Sequence, residues 1–357
     1  MTTTTSVKAL EYFLRGKDYY YSEQYPLAVE MFEQAVKADT NFLWAIRFLG
    51  FSNTNNRNRA EGRKWAAKFQ SKRDLMDEVQ KMYADYDYAN TYETPNESII
   101  ALKRLINVDD QPPVRRSLGT KYCNLQQYKN AIPELEKALE MYRAWGIKPL
   151  GPDFYFYLGE AYHGTGQYKN EKNLYKRAEH DFPSSRSICL RQIILAISEK
   201  DTIKTKKYIE KWISLLNYKP ADQAIKADIN EINNEIIAGN IGEFYESGGN
   251  LDMAEKYYRK AIGLAPGNPE WKSVLARFLI YNDRNINEGI EIAESILDKN
   301  PDALIPFRAK GWGLYKRGKY TEALKILEYC WNPHKNGYDH TEYLHLQEVR
   351  KAAANKQ

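Results

Sequence analysis

Glu160 and His163, three residues apart, are the nearest approach in this chain to an acid–base pair on one helical face, the arrangement general acid–base chemistry uses. A pocket built around them would make the chain an enzyme, but no nucleophile elbow and no Ser, His and Asp set accompanies them. The other histidines are His180, His334, His340 and His345, the last three within HKNGYDHTEYLH beside Asp339 and Glu342. None has the HExxH spacing that sets two imidazoles on one face, so neither a metal nor a cofactor is expected. Cys123, Cys189 and Cys330 stand far apart in no CxxC pattern, which fits a reducing compartment. Gly164 and Gly166 are followed by no Lys-Ser or Lys-Thr, so they do not make a phosphate loop. Asp109 and Asp110 mark a helix end before Pro112 and Pro113, and Asn96–Ser98 is a glycosylation sequon by pattern.

Charge offers one further feature. The run RNRAEGRKWAAKFQSKR carries Arg57, Arg59, Arg63, Lys64, Lys68, Lys72 and Arg73 against the single acid Glu61. Lys64, Lys68 and Lys72 share a helical face and would suit an anionic protein, a lipid headgroup or a nucleic acid. The plainer expectation is a solvated outer face. A net charge of +5 over 357 residues is too mild for a dedicated nucleic-acid binder, although a helical-repeat nucleic-acid or anionic-ligand binder is the second reading after a protein binder.

Elements must position any such residues, and here the pattern is strong. In DFYFYLGEAYHGTGQYKNEKNLYKRAEHDFP, from Asp153 to Pro183, apolar residues recur with helical spacing, break at Gly164–Gln167, and resume through Leu174, Tyr175 and Ala178. This predicts a helical hairpin. Its Leu158-Gly159 pair has counterparts that place the same position at Gly16, Gly50, Tyr86, Gly119, Gly159, Ile193, Gly242, Ala276 and Gly311. The steps are 34, 36, 33, 40, 34, 49, 34 and 35, five of the eight within one residue of 34, which marks a stacked array of hairpins. Charged residues at 28% and a mean hydropathy of −0.68 agree with a chain having much surface for its core.

With Leu158-Gly159, Tyr162, Tyr175, Ala178 and Pro183 in those places, the chain resembles the tetratricopeptide repeat (TPR) family. The resemblance implies an all-α, right-handed superhelical solenoid of about nine hairpins with a C-terminal capping helix. The expected organisation is a disordered lead-in at 1–6 with Ser6 as a helix N-cap, a subarray at 7–145, a Pro- and Gly-rich connector at 146–152, a second subarray at 153–338, and a cap and tail at 339–357. A long helix from Ala221 to about Glu246 is expected to absorb the step of 49. The second hairpin fits only with a shift of about one residue around Trp65–Phe69. The third is marked mainly by Leu102 and Leu105. Tyr343, Leu344, Leu346 and Val349 on the last helix suggest an array complete at that end.

The same resemblance implies that the second, fifth, ninth and twelfth positions of each first helix line a concave groove. Those positions hold Phe13, Lys17 and Tyr20, then Trp44, Arg47, Phe51 and Thr54, then Arg116 and Thr120, then Phe156, Glu160 and His163, and finally Arg308, Trp312 and Tyr315. Aromatic rings interleaved with arginine suit a peptide or protein segment, by apolar area and guanidinium pairing. The competing expectation is that these side chains touch the next repeat. Phe13 and Lys17 stand where the chaperone-binding carboxylate clamp has a Lys and an Asn, so that clamp is not expected. The function implied is a non-catalytic scaffold or regulatory module. The opening residues, through Ala45, resemble the start of TPR regions that follow signalling domains in large bacterial regulators. No apolar run is long enough to span a bilayer and no secretory signal is visible, so a cytoplasmic location is expected, or an extracytoplasmic one for a fragment of a membrane-anchored parent.

Overall fold

In each hairpin a small or short side chain lets two antiparallel helices approach, and a larger one fills the space beside it. Gly16 faces Phe32, Gly119 faces Leu135, Gly159 faces Tyr175 and Gly242 faces Tyr258, each so closely that a methyl group on the glycine would collide with the ring or branch opposite. The computed structural model describes residues 4–216, 232–331 and 340–355.

The described residues are all-helical, without strands. The hairpins are α1 (Val7–Tyr21) with α2 (Tyr25–Ala38), α3 (Leu43–Asn55) with α4 (Arg59–Gln70), α5 (Glu78–Tyr92) with α6 (Pro95–Ile106), α7 (Pro112–Asn124) with α8 (Tyr128–Ala144), and α9 (Asp153–Gly164) with α10 (Tyr168–Asp181). They continue as α11 (Arg186–Ser198) with α12 (Thr202–Ser214), α13 (Glu235–Ser247) with α14 (Leu251–Leu264), α15 (Pro269–Tyr281) with α16 (Ile286–Leu297), and α17 (Leu304–Lys316) with α18 (Tyr320–Cys330). A single helix, α19 (His340–Ala354), follows. A short 3-10 turn at Arg73–Leu75 accounts for the step of 36.

The chain forms two compact units that divide between Phe182 and Pro183. Within the first, α1–α10 stack hairpin on hairpin, and residues 146–152 lie inside this unit with Gly151 and Pro152 buried. Ser6 caps α1, its Oγ accepting from the Ala9 amide at 3.2 Å. The second unit holds α11–α19. Its last helix buries Leu346 and Val349 completely against the α17–α18 hairpin. Of the helix expected from Ala221, residues 221–231 lie outside the described residues, and the helix that follows begins only at Glu235.

One expectation changes. The second hairpin needs no shift: Gly62 stands at the crossing, packed against Gly50 and Thr54, and the register runs on through it. The third hairpin carries buried Ser98 at the same place, and the sixth carries buried Thr205. Small polar side chains do there what Ala28, Ala131 and Ala254 do elsewhere. In the fifth hairpin the place is taken by Glu171, only 1% exposed. Its Oε1 accepts from the Tyr175 hydroxyl at 3.0 Å and its carboxylate lies 3.1 Å from His163 Nδ1, so the buried charge is hydrogen-bonded rather than stranded.

Candidate functional site

Three first helices of the 4–182 unit present the same stripe. Trp44, Arg47, Phe48 and Phe51 on α3, Tyr83, Tyr86, Asp87 and Asn90 on α5, and Pro113, Arg116, Ser117 and Thr120 on α7 all run i, i+3, i+4, i+7, which places each set on one helical face. The opposite face of α3 supplies the buried Ile46, Leu49 and Gly50, so the helix is held by its apolar side. Together with Tyr20, Tyr21 and Lys121, the residues of the three stripes other than Asp87 line a cavity of about 320 Å³.

Its walls are aromatic and its charges are arranged in pairs. Arg47 donates from Nε and Nη2 to the two oxygens of Asp87, at 2.6 and 3.0 Å, and its guanidinium lies 4.5 Å from the Tyr83 ring centroid and 4.6 Å from that of Phe51. Such bidentate pairing and ring stacking fix the side chain in one pose. Burial works against the charge on Arg47, and Asp87 more than reverses this, holding the guanidinium above its ordinary value. Arg116 lies 3.0 Å from Asp153 at the start of α9, and its pKa is likewise raised: burial opposes the charge, and Asp153 together with Tyr20, Tyr157 and Tyr21 outweighs it. The Trp44 and Tyr83 rings meet edge to face at 5.1 Å. Tyr83 donates to Asp109 at 2.7 Å, Tyr20 accepts from Asn55 at 3.2 Å, and the Lys121 ammonium donates to Asn90. Burial pushes Lys121 down to about 7 and Tyr86 up to about 12.

Of the residues singled out in the sequence, the structure brings Trp44, Arg47, Phe51 and Arg116 together at this cavity. Phe156, Glu160 and His163, all on α9, are not among its lining. Phe156 rests edge to face on Tyr157 at 5.2 Å, and the carboxylate beside His163 is Glu171 of its own hairpin. In the second unit, Arg308, Trp312 and Tyr315 are met by α19 of the same chain. Arg308 pairs with Glu342 at 2.9 Å, Trp312 stacks on His345 at 3.7 Å, and the Tyr315 hydroxyl donates to Glu348 at 2.9 Å. These positions therefore serve contact between successive first helices. Arg277 with Glu246, at 2.7 Å, repeats the same kind of pairing.

Tyr83, Asp87 and Asn90 were missing from the sequence-based set. They occupy the fifth, ninth and twelfth positions of the third hairpin, whose first helix lacks the Leu-Gly pair that would have drawn attention to it. A carboxylate one repeat along from each arginine was the available signal.

The basic run has contacts within the chain, and its Arg57, Arg59, Lys64 and Lys68 are exposed. Lys64 pairs with Glu61 at 2.8 Å, Lys68 lies 4.5 Å from the Trp65 ring centroid, Lys72 donates to Asn41 at 2.6 Å and Arg73 grips Asp85 at 2.6 Å. Among the described residues no cluster of three or more His, Cys, Asp or Glu could hold a metal, and His334 and the side chain of His340 lie outside the described residues. The three cysteines are buried and unbridged. No described helix is long and apolar enough to cross a membrane.

No curated protein matches the sequence significantly. Tetratricopeptide-repeat profiles match residues 117–186 and 237–268. Among solved structures, the chain is similar to the TPR domain of P58(IPK), at 15% identity over 98% of this chain and 99% of that one with a TM-score of 0.31. It is similar to yeast Tom70, at 17% identity over 91% and 68% with a TM-score of 0.45. A tetratricopeptide repeat protein from Parabacteroides merdae gives 13% identity over 79% and 99% with a TM-score of 0.41. With the repeat recognised in both units and the same hairpin recurring between and around the matched segments, the chain is a tetratricopeptide-repeat protein.

Proposed function

We propose that this chain is a non-catalytic interaction module that holds a protein or peptide segment against the first-helix face of the 4–182 unit. The observation that carries the reading is the cavity between α1, α3, α5 and α7. Aromatic rings from α1, α3 and α5 converge there, and the cavity is open beside the exposed Thr54 and Asn55. Rigid aromatic side chains give large contact area at little entropic cost, which is why binding surfaces concentrate them. The arginines position the rings and hold the helices in register, because Asp87 and Asp153 already engage them. That division of labour suits a preformed surface, where less ordering is needed on binding.

A photo-crosslinking residue at Thr54 tests this against one at Lys137, exposed on the second helix α8. Peptides selected on the chain from a random display library are expected to crosslink from position 54 and not from position 137. Equal crosslinking from both positions, or a selection that returns no binder, would overturn the reading.

A further inference from the structure

The polar groups around the cavity are unbalanced in one direction. Its basic lining side chains are already engaged, Arg47 by Asp87, Arg116 by Asp153 and Lys121 by Asn90, so what remains open is a set of hydrogen-bond donors. Three of its lining side chains also carry a buried polar atom without a hydrogen-bond partner: Trp44 Nε1, Arg116 Nε and Thr120 Oγ1. The first two can only donate, and the hydroxyl is able to donate. Buried polar groups are ordinarily satisfied, so orphaned donors on α3 and α7 lining one cavity ask for an acceptor. A carboxylate presents about four lone-pair sites, which matches the donor set, and its charge strengthens each bond it accepts. About 320 Å³ is at the small end of ligand sites and admits a side chain rather than a whole helix.

We propose that the cavity receives the side-chain carboxylate of an internal acidic residue in the bound segment, with an adjoining aromatic or apolar residue against the rings. This rests on the reading of the chain as a peptide-binding module and specifies the chemistry of the peptide. The carboxylate oxygens accept from Trp44, Thr120 and Arg116, leaving the Arg116–Asp153 pair in place.

Two heptapeptides, blocked at both ends so that no terminal carboxylate is present, provide the probe: one alternates phenylalanine with glutamate, the other phenylalanine with glutamine. Their affinities are compared by fluorescence anisotropy at low and moderate salt. The glutamate peptide is expected to bind about tenfold more tightly or better, the usual value of hydrogen bonds to a charged group, with a preference that weakens as salt is raised. Trp44→Phe and Thr120→Val each keep the shape and delete one donor, and each is expected to shrink the glutamate preference several-fold. Equal affinity for the two peptides, failure of both to bind, or a preference that survives both substitutions would overturn the proposal. Should one variant not fold, the other carries the test. If position 54 still crosslinks selected peptides while the glutamate preference is absent, only the carboxylate falls; if selection also returns nothing, the binding module falls with it.

Discussion

Arg47, Arg116 and Arg308 look alike in the sequence, each on a first helix and each near an aromatic residue, yet each is engaged by a carboxylate of the next first helix along. This explains why the arginines were legible as special and their role was not. The partner lies about one repeat away, and nothing local to Arg47 points to Asp87. The rings were more legible: Trp44 and Phe51 do line a cavity, while Trp312 is stacked beneath His345 of the chain's own last helix. Lys121 escaped notice altogether, since a lysine on a helix is ordinarily exposed and only the packing of α5 beside α7 buries it to 6% exposure. Its lowered pKa, about 7, fixes the sign of a pH effect. An unfolded lysine titrates near 10.4, so between about pH 7 and 10 the unfolded chain binds more protons than the folded one and stability rises with pH through that window. Replacing Lys121 by Met removes the titrating group. The Tm of Lys121→Met is expected to exceed that of the parent most at pH 7 and by a shrinking margin towards pH 9, measured by calorimetry. A margin that does not change with pH would show that Lys121 keeps its charge at no cost.

At the scale of the hairpin, the register was readable where an alanine stands at the crossing, and loosely so where Gly62 or a polar residue does the same work. Ser98 and Thr205 are short enough to let helices cross, but a serine or threonine in a helix is also common on surfaces, so composition does not single them out. The turns hide a repeat in the same way. A residue in the left-handed region recurs at Glu23, Arg57, Gln126, Gly166, Lys200, Gly249, Asp283 and Gly318, always seven residues after the marker position of its hairpin. Three are glycine, and the other five accept the strain of an L-residue with positive φ. The turn is therefore dictated by the two helices and only assisted by its own residue. Lys200 is exposed with φ 58°, so Lys200→Gly should stabilise by roughly 0.5–1 kcal/mol, the strain relieved less the added freedom of the unfolded chain. Gly166 has φ 72° and no atom near enough to meet an added methyl, so Gly166→Ala should cost about 1 kcal/mol from the backbone alone. Chemical denaturation of the two variants would measure both, and the opposite signs make the test internal: a shift in the same direction for both would refute the account.

Within each compact unit, hairpins bury their apolar faces mainly against their sequence neighbours, so stability is approximately a sum of local terms and a defect should be felt locally. The last helix shows what this demands of an end. The faces of α17 and α18 are covered by α19, which brings Leu346 and Val349 to the core together with Glu342, His345 and Glu348 for Arg308, Trp312 and Tyr315. The apolar half of that arrangement was readable as an amphipathic helix; the polar half was not, because it required knowing which helix faces which. Leu346→Ala removes a fully buried side chain and should cost about 2–5 kcal/mol at that end. Hydrogen exchange under native conditions should then accelerate at the amides of α17–α19, less so at α15 and α16, and not at α1–α8, since each hairpin passes only part of its stability to the next. Uniform acceleration from α1 to α19 would mean that the chain unfolds as one cooperative block, and the additive description of the array would have to be abandoned.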